Sequence, residues 1–215
     1  MKAQACIFDF DGVVIDSEKY HHLAWEDVAR DLGVEYTYQE YLPMKSAGRA
    51  IVIPYLLKKA GIEMTPQLYD HCLELRAKYA EKAMQHLNEK DITPGVVQFV
   101  DLLHKNGIPC AVASSSALAH LTAKRFHLFE LFDHFIDGEA NLPYKPSPEL
   151  FLYVAKLLNT APQNCIVFED SINGLKAAKS ANMHCIGIQT YFTNLADRII
   201  DDFIGADLTL LEFGE

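Results

Sequence analysis

Two patterns of hydrophobic positions alternate along the chain. Short apolar runs without helical period recur at Ala5 to Phe8, Ile108 to Ala113, Phe135-Ile136, Cys165 to Phe168 and His184 to Ile188. Runs of this length, closed by Asp, Gly or Ser, predict buried strands of a parallel sheet. A last run, Leu208-Thr209-Leu210 in the tail from Asp207, predicts an edge strand. Between the runs the apolar positions recur every three or four residues. Thr93-Pro94-Gly95 opens a helix that ends at Asn106-Gly107, Leu118 to Phe126 is a second, Ser147-Pro148-Glu149 caps a third reaching Leu158, and Leu175 to Ser180 is a fourth. Strands alternating with helices predict an α/β fold with a doubly wound, mostly parallel sheet.

Residues 17 to 87 depart from this alternation. Ser17 is positioned as an N-cap, and Glu18 to Asp31 reads as a helix closed by Gly33. A second helix is expected over Ala47 to Ala60 before Gly61. A third opens on Thr65-Pro66-Gln67, with proline at the first helical position, and runs to Leu87. No strand pattern interrupts them. The sequence therefore predicts an α/β core formed by 1–16 and 88–215 around an inserted all-helical domain, 17–87.

Composition narrows the function. The chain has 215 residues, half of them hydrophobic, and 29 acids against 19 bases give a net charge of −10. That balance opposes nucleic acid or an anionic membrane as partner. A phosphate site in such a chain has to be built from a few local cations and backbone donors. No apolar run approaches the roughly 18 residues of a membrane span. Met1-Lys2-Ala3-Gln4 leads directly into the first strand, so the expectation is a cytoplasmic protein without a signal peptide. Cys6, Cys72, Cys110, Cys165 and Cys185 are dispersed and lack a Cys-x-x-Cys pair, so they read as reduced core thiols.

The candidate chemistry sits where strands end. Asp9 and Asp11 follow the first strand, with Gly12 behind them. An Asp-Gly pair alone is an ordinary turn. Two acids this close repel in a dry site, unless a divalent cation lies between them or one keeps its proton. Both conditions suit phosphoryl transfer, in which one carboxylate attacks phosphorus and its neighbour moves a proton. Ser114 and Ser115 follow the strand ending at Ala113, and hydroxyls and free amides there can hold phosphate oxygens, although a plain helix cap reads the same. Lys145 lies among Pro143, Pro146 and Pro148, which stiffen its backbone; taken alone it reads as a solvated loop lysine. Glu169-Asp170, with Asn173-Gly174 behind them, end another strand and offer oxygen ligands of the kind Mg²⁺ takes; capping of the next helix is the competing reading.

These segments resemble the four motifs of the haloacid dehalogenase superfamily: Asp9-Phe10-Asp11-Gly12-Val13-Val14-Ile15-Asp16-Ser17, Ser114-Ser115-Ser116, Lys145-Pro146-Ser147-Pro148 and Glu169-Asp170-Ser171-Ile172-Asn173-Gly174. The likeness covers the whole chain, and the helical insertion resembles the subfamily with a small helical cap, which includes β-phosphoglucomutases and sugar-phosphate phosphatases. It implies a Rossmann-like core, Asp9 as nucleophile forming an aspartyl phosphate, and Asp11 as general acid and base. Ser114 and Lys145 hold the phosphoryl group. Ser115, Ser116 and Asn173 contact substrate. Mg²⁺ is held by Asp9, the backbone carbonyl of Asp11, Asp170 and Glu169. A halide leaves without a proton, so Asp11 argues against the dehalogenase branch.

The resemblance also implies that the cap selects the substrate, a small phosphate ester, in a monomeric enzyme. His21 falls where the mutases keep a histidine, and Arg49 can clamp a second phosphate. Trp25, Arg76 and Lys78 are further cap candidates. The plain alternatives are an amphipathic aromatic stripe for Tyr20, His21 and Trp25, and a surface arginine for Arg49. Two departures matter. Ala117 and Leu118 stand where mutases have a lysine and an asparagine for the distal phosphate, and the glycine-rich cap loop is altered to Ser46-Ala47-Gly48. The second anion site is thereby weakened. The expectation is a Mg²⁺-dependent phosphatase, with a β-phosphoglucomutase-type mutase as the alternative and a non-catalytic phosphate-binding protein as the second.

Overall fold

All four residues of β1, Ala5–Phe8, are buried, as are those of β2, Cys110–Ala113, and β4, Cys165–Glu169. A strand buried on both faces cannot alternate apolar with polar, which is why these runs carry no period. The computed structural model describes residues 2–45, 48–190 and 194–213. Among these, β1, β2 and β4 join β3 (His134–Ile136), β5 (His184–Ile188) and β6 (Arg198–Ile200) in one sheet, ordered β3-β2-β1-β4-β5-β6, with every pairing parallel. The chain divides into two units: Met1–Asp16 with Glu89–Glu215, and Ser17–Asn88.

In the first unit, alternate strand residues supply two cores. Ala5, Ile7, Ala111, Ala113, Cys165, Val167 and Cys185 pack beneath α7 (Glu149–Leu157) and α8 (Ile172–Ser180). On the opposite side Phe8 stacks on Phe168 at 4.6 Å, and both meet Phe99 of α5 (Val96–Lys105) and Phe203. Helical cover on both faces makes the sheet doubly wound. A further helix, α6 (Ala119–Arg125), follows β2. The cysteines are free thiols, all buried.

The second unit contains α1 (Glu18–Asp31), α2 (Tyr38–Tyr41), α3 (Arg49–Lys59) and α4 (Pro66–Met84). Its core is its own: Trp25, Val28, Tyr36, Val52, Ile53, Leu56 and Cys72 are all buried together. The predicted helix start at Ala47 and the altered loop residues Ser46 and Ala47 lie outside the described residues. The described helix begins at Arg49.

The C-terminal expectation needs correcting. Leu208–Leu211 is a 3-10 turn, not a strand. Asp207 accepts hydrogen bonds from the amide and hydroxyl of Thr209 (2.8 and 2.5 Å), and Arg198 binds the carbonyls of Thr209 (2.8 Å) and Glu212. Local side-chain bonding has replaced the ladder. The described edge strand beyond β5 is β6, which carries a charge and is mostly exposed, so it left no apolar run to read. No helix among the described residues is long and apolar enough to cross a membrane.

Candidate active site

The strand order reverses between β1 and β4, and in open α/β sheets ligands bind outside the carboxyl ends of strands at such a switch point. Phe8 and Phe168 are partners in register, and the amide of Asp9 donates to the Phe168 carbonyl at 2.9 Å. Asp9, Glu169 and Asp170 therefore leave neighbouring strands side by side. Their carboxylate oxygens lie within 4.8 Å of one another, and all three residues are buried. This trio brings together groups separated by 160 residues of sequence.

The loop from Phe10 to Ile15 is tightly folded. The amides of Val14 and Ile15 both donate to the Phe10 carbonyl (2.9 and 3.1 Å), and the Gly12 amide donates to the Ile15 carbonyl (2.7 Å). Gly12 has φ +89°, and a Cβ there would stand 1.8 Å from Asp170 Oδ2. Only glycine admits both the backbone conformation and the carboxylate.

Ser114 leaves β2, with its amide bonded to the Ile136 carbonyl at 2.9 Å and its hydroxyl 3.4 Å from Asp11 Oδ2. The Ser116 amide donates to Ser114 Oγ at 3.0 Å, and Ser116 Oγ accepts from the Leu118 amide. The hydroxyl of Ser116 thus shapes the loop. Ser115 Oγ is buried without a hydrogen-bond partner among the described residues. Asn173 lies half-buried in the first turn of α8.

Lys145 is 2% exposed, not the solvated loop lysine of the plain reading. Its ammonium bonds Asp9 and, at 2.7 Å, Glu169, and sits 4.8 Å from the centre of the Phe151 ring. Burial alone would lower the Lys145 pKa; Asp9 and Glu169 outweigh it and hold the ammonium above its ordinary range. Burial raises Glu169, but Lys145 and the Ser171 hydrogen bonds prevail and keep it ionised. Asp9 goes the other way: burial, reinforced by Glu169, Asp170 and Asp11, pushes its carboxyl well above the usual range, against the pull of Lys145. The site therefore has more negative charge than its lysine neutralises. A hard divalent cation among carboxylate oxygens fits that imbalance, and Asp9 and Asp170 are placed to hold one.

Ser171 and Phe151 support this arrangement. Ser171 caps α8 through the Gly174 amide (3.0 Å), the role considered as the competing reading, and its hydroxyl also donates to Glu169 Oε1 (2.8 Å). Phe151 is the platform for Lys145; its place six residues on, one turn into a helix, gave the only hint.

In the helical unit, His21 Nδ1 lies 3.0 Å from Arg76 Nη2. A guanidinium only donates, so His21 accepts there. Arg76 also stands 4.9 Å over the ring of Trp25. Trp25, expected to contact substrate, is 6% exposed and belongs to the core of its own unit, the plain reading of that stripe. Arg49 is the exposed first residue of α3, and Lys78 is exposed beside Tyr79.

The family model described as haloacid dehalogenase-like hydrolase matches residues 3–182. Hexitol phosphatase B of Escherichia coli K12 is 33% identical over 186 residues, 85% of this chain and 82% of its own. Among solved structures, β-phosphoglucomutase from Clostridium difficile has a TM-score of 0.87 at 28% identity, covering 95% of this chain and 93% of that one. CbbY from Rhodobacter sphaeroides, in complex with xylulose-(1,5)bisphosphate, has a TM-score of 0.80 at 26% identity, covering 98% and 100%.

Proposed function

The chain belongs to the haloacid dehalogenase-like hydrolase family, and from that premise we propose that it hydrolyses small phosphomonoesters, sugar phosphates foremost, with Asp9 as nucleophile. The observation that carries this reading is the buried convergence of Asp9, Lys145 and Asp170 at the switch point of the sheet.

In the first half-reaction an Asp9 carboxylate oxygen attacks phosphorus. The bond from phosphorus to the sugar oxygen breaks, and Asp11 gives that oxygen its proton. In the second half-reaction water attacks the aspartyl phosphate, Asp11 takes a proton from it, the bond to Asp9 breaks, and phosphate leaves. Lys145 and the Ser114 hydroxyl hold the phosphoryl oxygens. Asp9, Asp170 and the Asp11 carbonyl would hold Mg²⁺, which when bound would supply positive charge offsetting the repulsion between the Asp9 carboxylate and the phosphate dianion. Lys145 works in the same direction on Asp9.

Hydrolysis is favoured over transfer between two positions of one sugar because the loop after β2 carries Ala117 and Leu118, without a cation for a distal phosphate. The likeness to hexitol phosphatase B supports the same choice. The similarity to β-phosphoglucomutase keeps the mutase as the second reading. The test is a panel of hexose, pentose and hexitol phosphates with Mg²⁺, assayed for free phosphate. Release from wild type and its loss in Asp9→Asn are expected. Interconversion of β-glucose 1-phosphate and glucose 6-phosphate without release assigns the mutase instead. Failure to trap beryllium fluoride with Mg²⁺ assigns a non-catalytic phosphate-binding protein.

A further inference from the structure

Strands β2 and β3 run on past their last ladder pair, Ala113 with Ile136, as two loops held against each other. The Ser114 amide donates to the Ile136 carbonyl at 2.9 Å, and the Gly138 amide donates back to the Ser116 carbonyl at 3.2 Å. In the sequence, Asp137-Gly138 reads as an ordinary turn. The structure gives the glycine a different reason. Its φ is not positive, so its backbone conformation does not call for glycine. Space does. A Cβ at Gly138 would stand 2.8 Å from the Ala117 amide nitrogen and from the Ser115 carbonyl oxygen, and 3.1 Å from the Ser116 carbonyl carbon. All three are main-chain atoms of the serine loop, so no change of rotamer clears them. The turn is held from its own side, where Asp137 Oδ1 accepts from the Glu139 amide (3.0 Å) and the Asp137 carbonyl from the Ala140 amide (3.1 Å). A side chain at 138 would therefore displace the serine loop.

We propose that Gly138 is a positioning residue for the Ser114 hydroxyl. The inference rests on the function proposed above, in which that hydroxyl holds a phosphoryl oxygen. A serine hydroxyl has one hydrogen to donate and two lone pairs. The oxygens of a phosphate dianion only accept, so Ser114 serves them only as a donor. The Ser116 amide fixes it in that role: it donates to Ser114 Oγ at 3.0 Å, fills one lone pair and leaves the hydroxyl hydrogen to point elsewhere. Asp11 Oδ2 lies 3.4 Å from the same oxygen. Gly138 sets where that amide lies. It binds the carbonyl of Ser116, and the Ser115 carbonyl that a Cβ would strike belongs to the same planar peptide unit as the Ser116 amide. With a methyl group at 138 that plane would tilt, the Ser116 amide would leave Ser114 Oγ, and the hydroxyl would lose its fixed direction. The collision touches neither Asp9 nor Asp170.

The test is a double-mutant cycle on the whole chain, read by binding of inorganic phosphate in titration calorimetry with Mg²⁺ present. Gly138→Ala and Ser114→Ala are each expected to weaken phosphate binding about tenfold or more, the scale of one hydrogen bond to a charged group. In the Ser114→Ala background, Gly138→Ala should weaken it less than about 2-fold further, because the hydroxyl through which it acts is gone. Losses that multiply overturn the proposal, as does a Gly138→Ala protein that binds phosphate like wild type; both leave the phosphatase reading intact. Mn²⁺ binding without phosphate should stay within about 2-fold of wild type in Gly138→Ala, as expected for separate sites. Equal losses of metal and phosphate would mean that the substitution disorders the site as a whole, and overturn the proposal. A wild type that binds no phosphate overturns the function on which the proposal rests, and the proposal with it. One measurement needs no variant: by NMR, the Ser116 and Gly138 amides of wild type are expected to exchange with solvent at least about 100-fold slower than in an unfolded chain. Exchange of either at the unfolded rate overturns the proposal even where Gly138→Ala fails to fold.

Discussion

Gly12 and Gly107 separate two reasons for a glycine. Both have positive φ, +89° and +71°, but only Gly12 faces a collision, with Asp170 Oδ2 at 1.8 Å; nothing lies within 4 Å of a Cβ at Gly107. Alanine at either position should cost about 1–2 kcal/mol from the backbone conformation alone. At Gly12 it should also displace Asp170. Gly12→Ala is therefore expected to weaken Mn²⁺ binding at least tenfold by titration calorimetry, and Gly107→Ala to leave it unchanged. Equal affinities in the two variants would show that Asp170 does not hold the ion. At this scale the sequence was legible in placement: it put Asp9, Asp11, Ser114, Lys145 and Asp170 in loops behind strands, and those loops meet. It was not legible where a side chain matters through what it touches. Nothing in the order of residues says that Glu169 accepts from Ser171 and Lys145, or that Trp25 turns into the core of its own helices.

Elements were legible where a cap or an apolar run marked them and illegible where a local bond decided. The predicted helix over Glu18 to Asp31 matches α1, whereas α2 had no long pattern to betray it. Its start is a capping box: the Glu40 amide donates to Thr37 Oγ1 and the Thr37 amide to Glu40 Oε2. Glu40 then reaches α3, accepting from Tyr55 Oη and Lys59 Nζ, both at 2.5 Å. The Lys59 bond first, then those from Tyr55 and Thr37, lower its pKa to about 2. A depressed carboxyl stabilises the fold above its unfolded pKa, near the ordinary 4.5, and the contribution disappears as pH falls through about 2. Glu40→Gln should accordingly melt below wild type at pH 7, with the gap narrowing below pH 4.5 and closing near pH 2. A gap independent of pH would mean that the side chain acts through packing and not through charge. In the same way β6 and the Asp207 turn were hidden because Arg198 and Asp207 bind locally where an apolar run was sought.

At the scale of the whole molecule, the alternation of strands and helices specified the architecture, but the order β3-β2-β1-β4-β5-β6 is a long-range fact that no window of sequence contains. What the sequence did contain was the shared address of the motifs at strand ends, and a parallel sheet places all such ends on one edge. The same topology bears on the insertion. Both faces of the sheet are covered from within the α/β unit, by α5 and Phe203 on one side and by α7 and α8 on the other. The two places where the chain leaves that unit are tied together inside it: Ile15 bridges Ile92, the Asp16 amide donates to Asp91 at 2.7 Å, and the Thr93 amide to Val14 at 3.1 Å. The helical unit is closed in turn by its own core and by the Tyr20 hydroxyl on the His86 carbonyl (3.1 Å). Replacing residues 17–88 with about four residues of glycine and serine, each spanning up to about 3.5 Å, should therefore reconnect the α/β unit without strain. The shortened protein is expected to unfold cooperatively by circular dichroism and to bind Mn²⁺ within about 3-fold of wild type, because the carboxylates proposed to hold the ion all belong to the α/β unit. Two-state melting of this kind is the behaviour of a domain with a complete core. A non-cooperative melt, or loss of Mn²⁺ binding in a protein that still melts cooperatively, would show that the helical unit is needed to form the site.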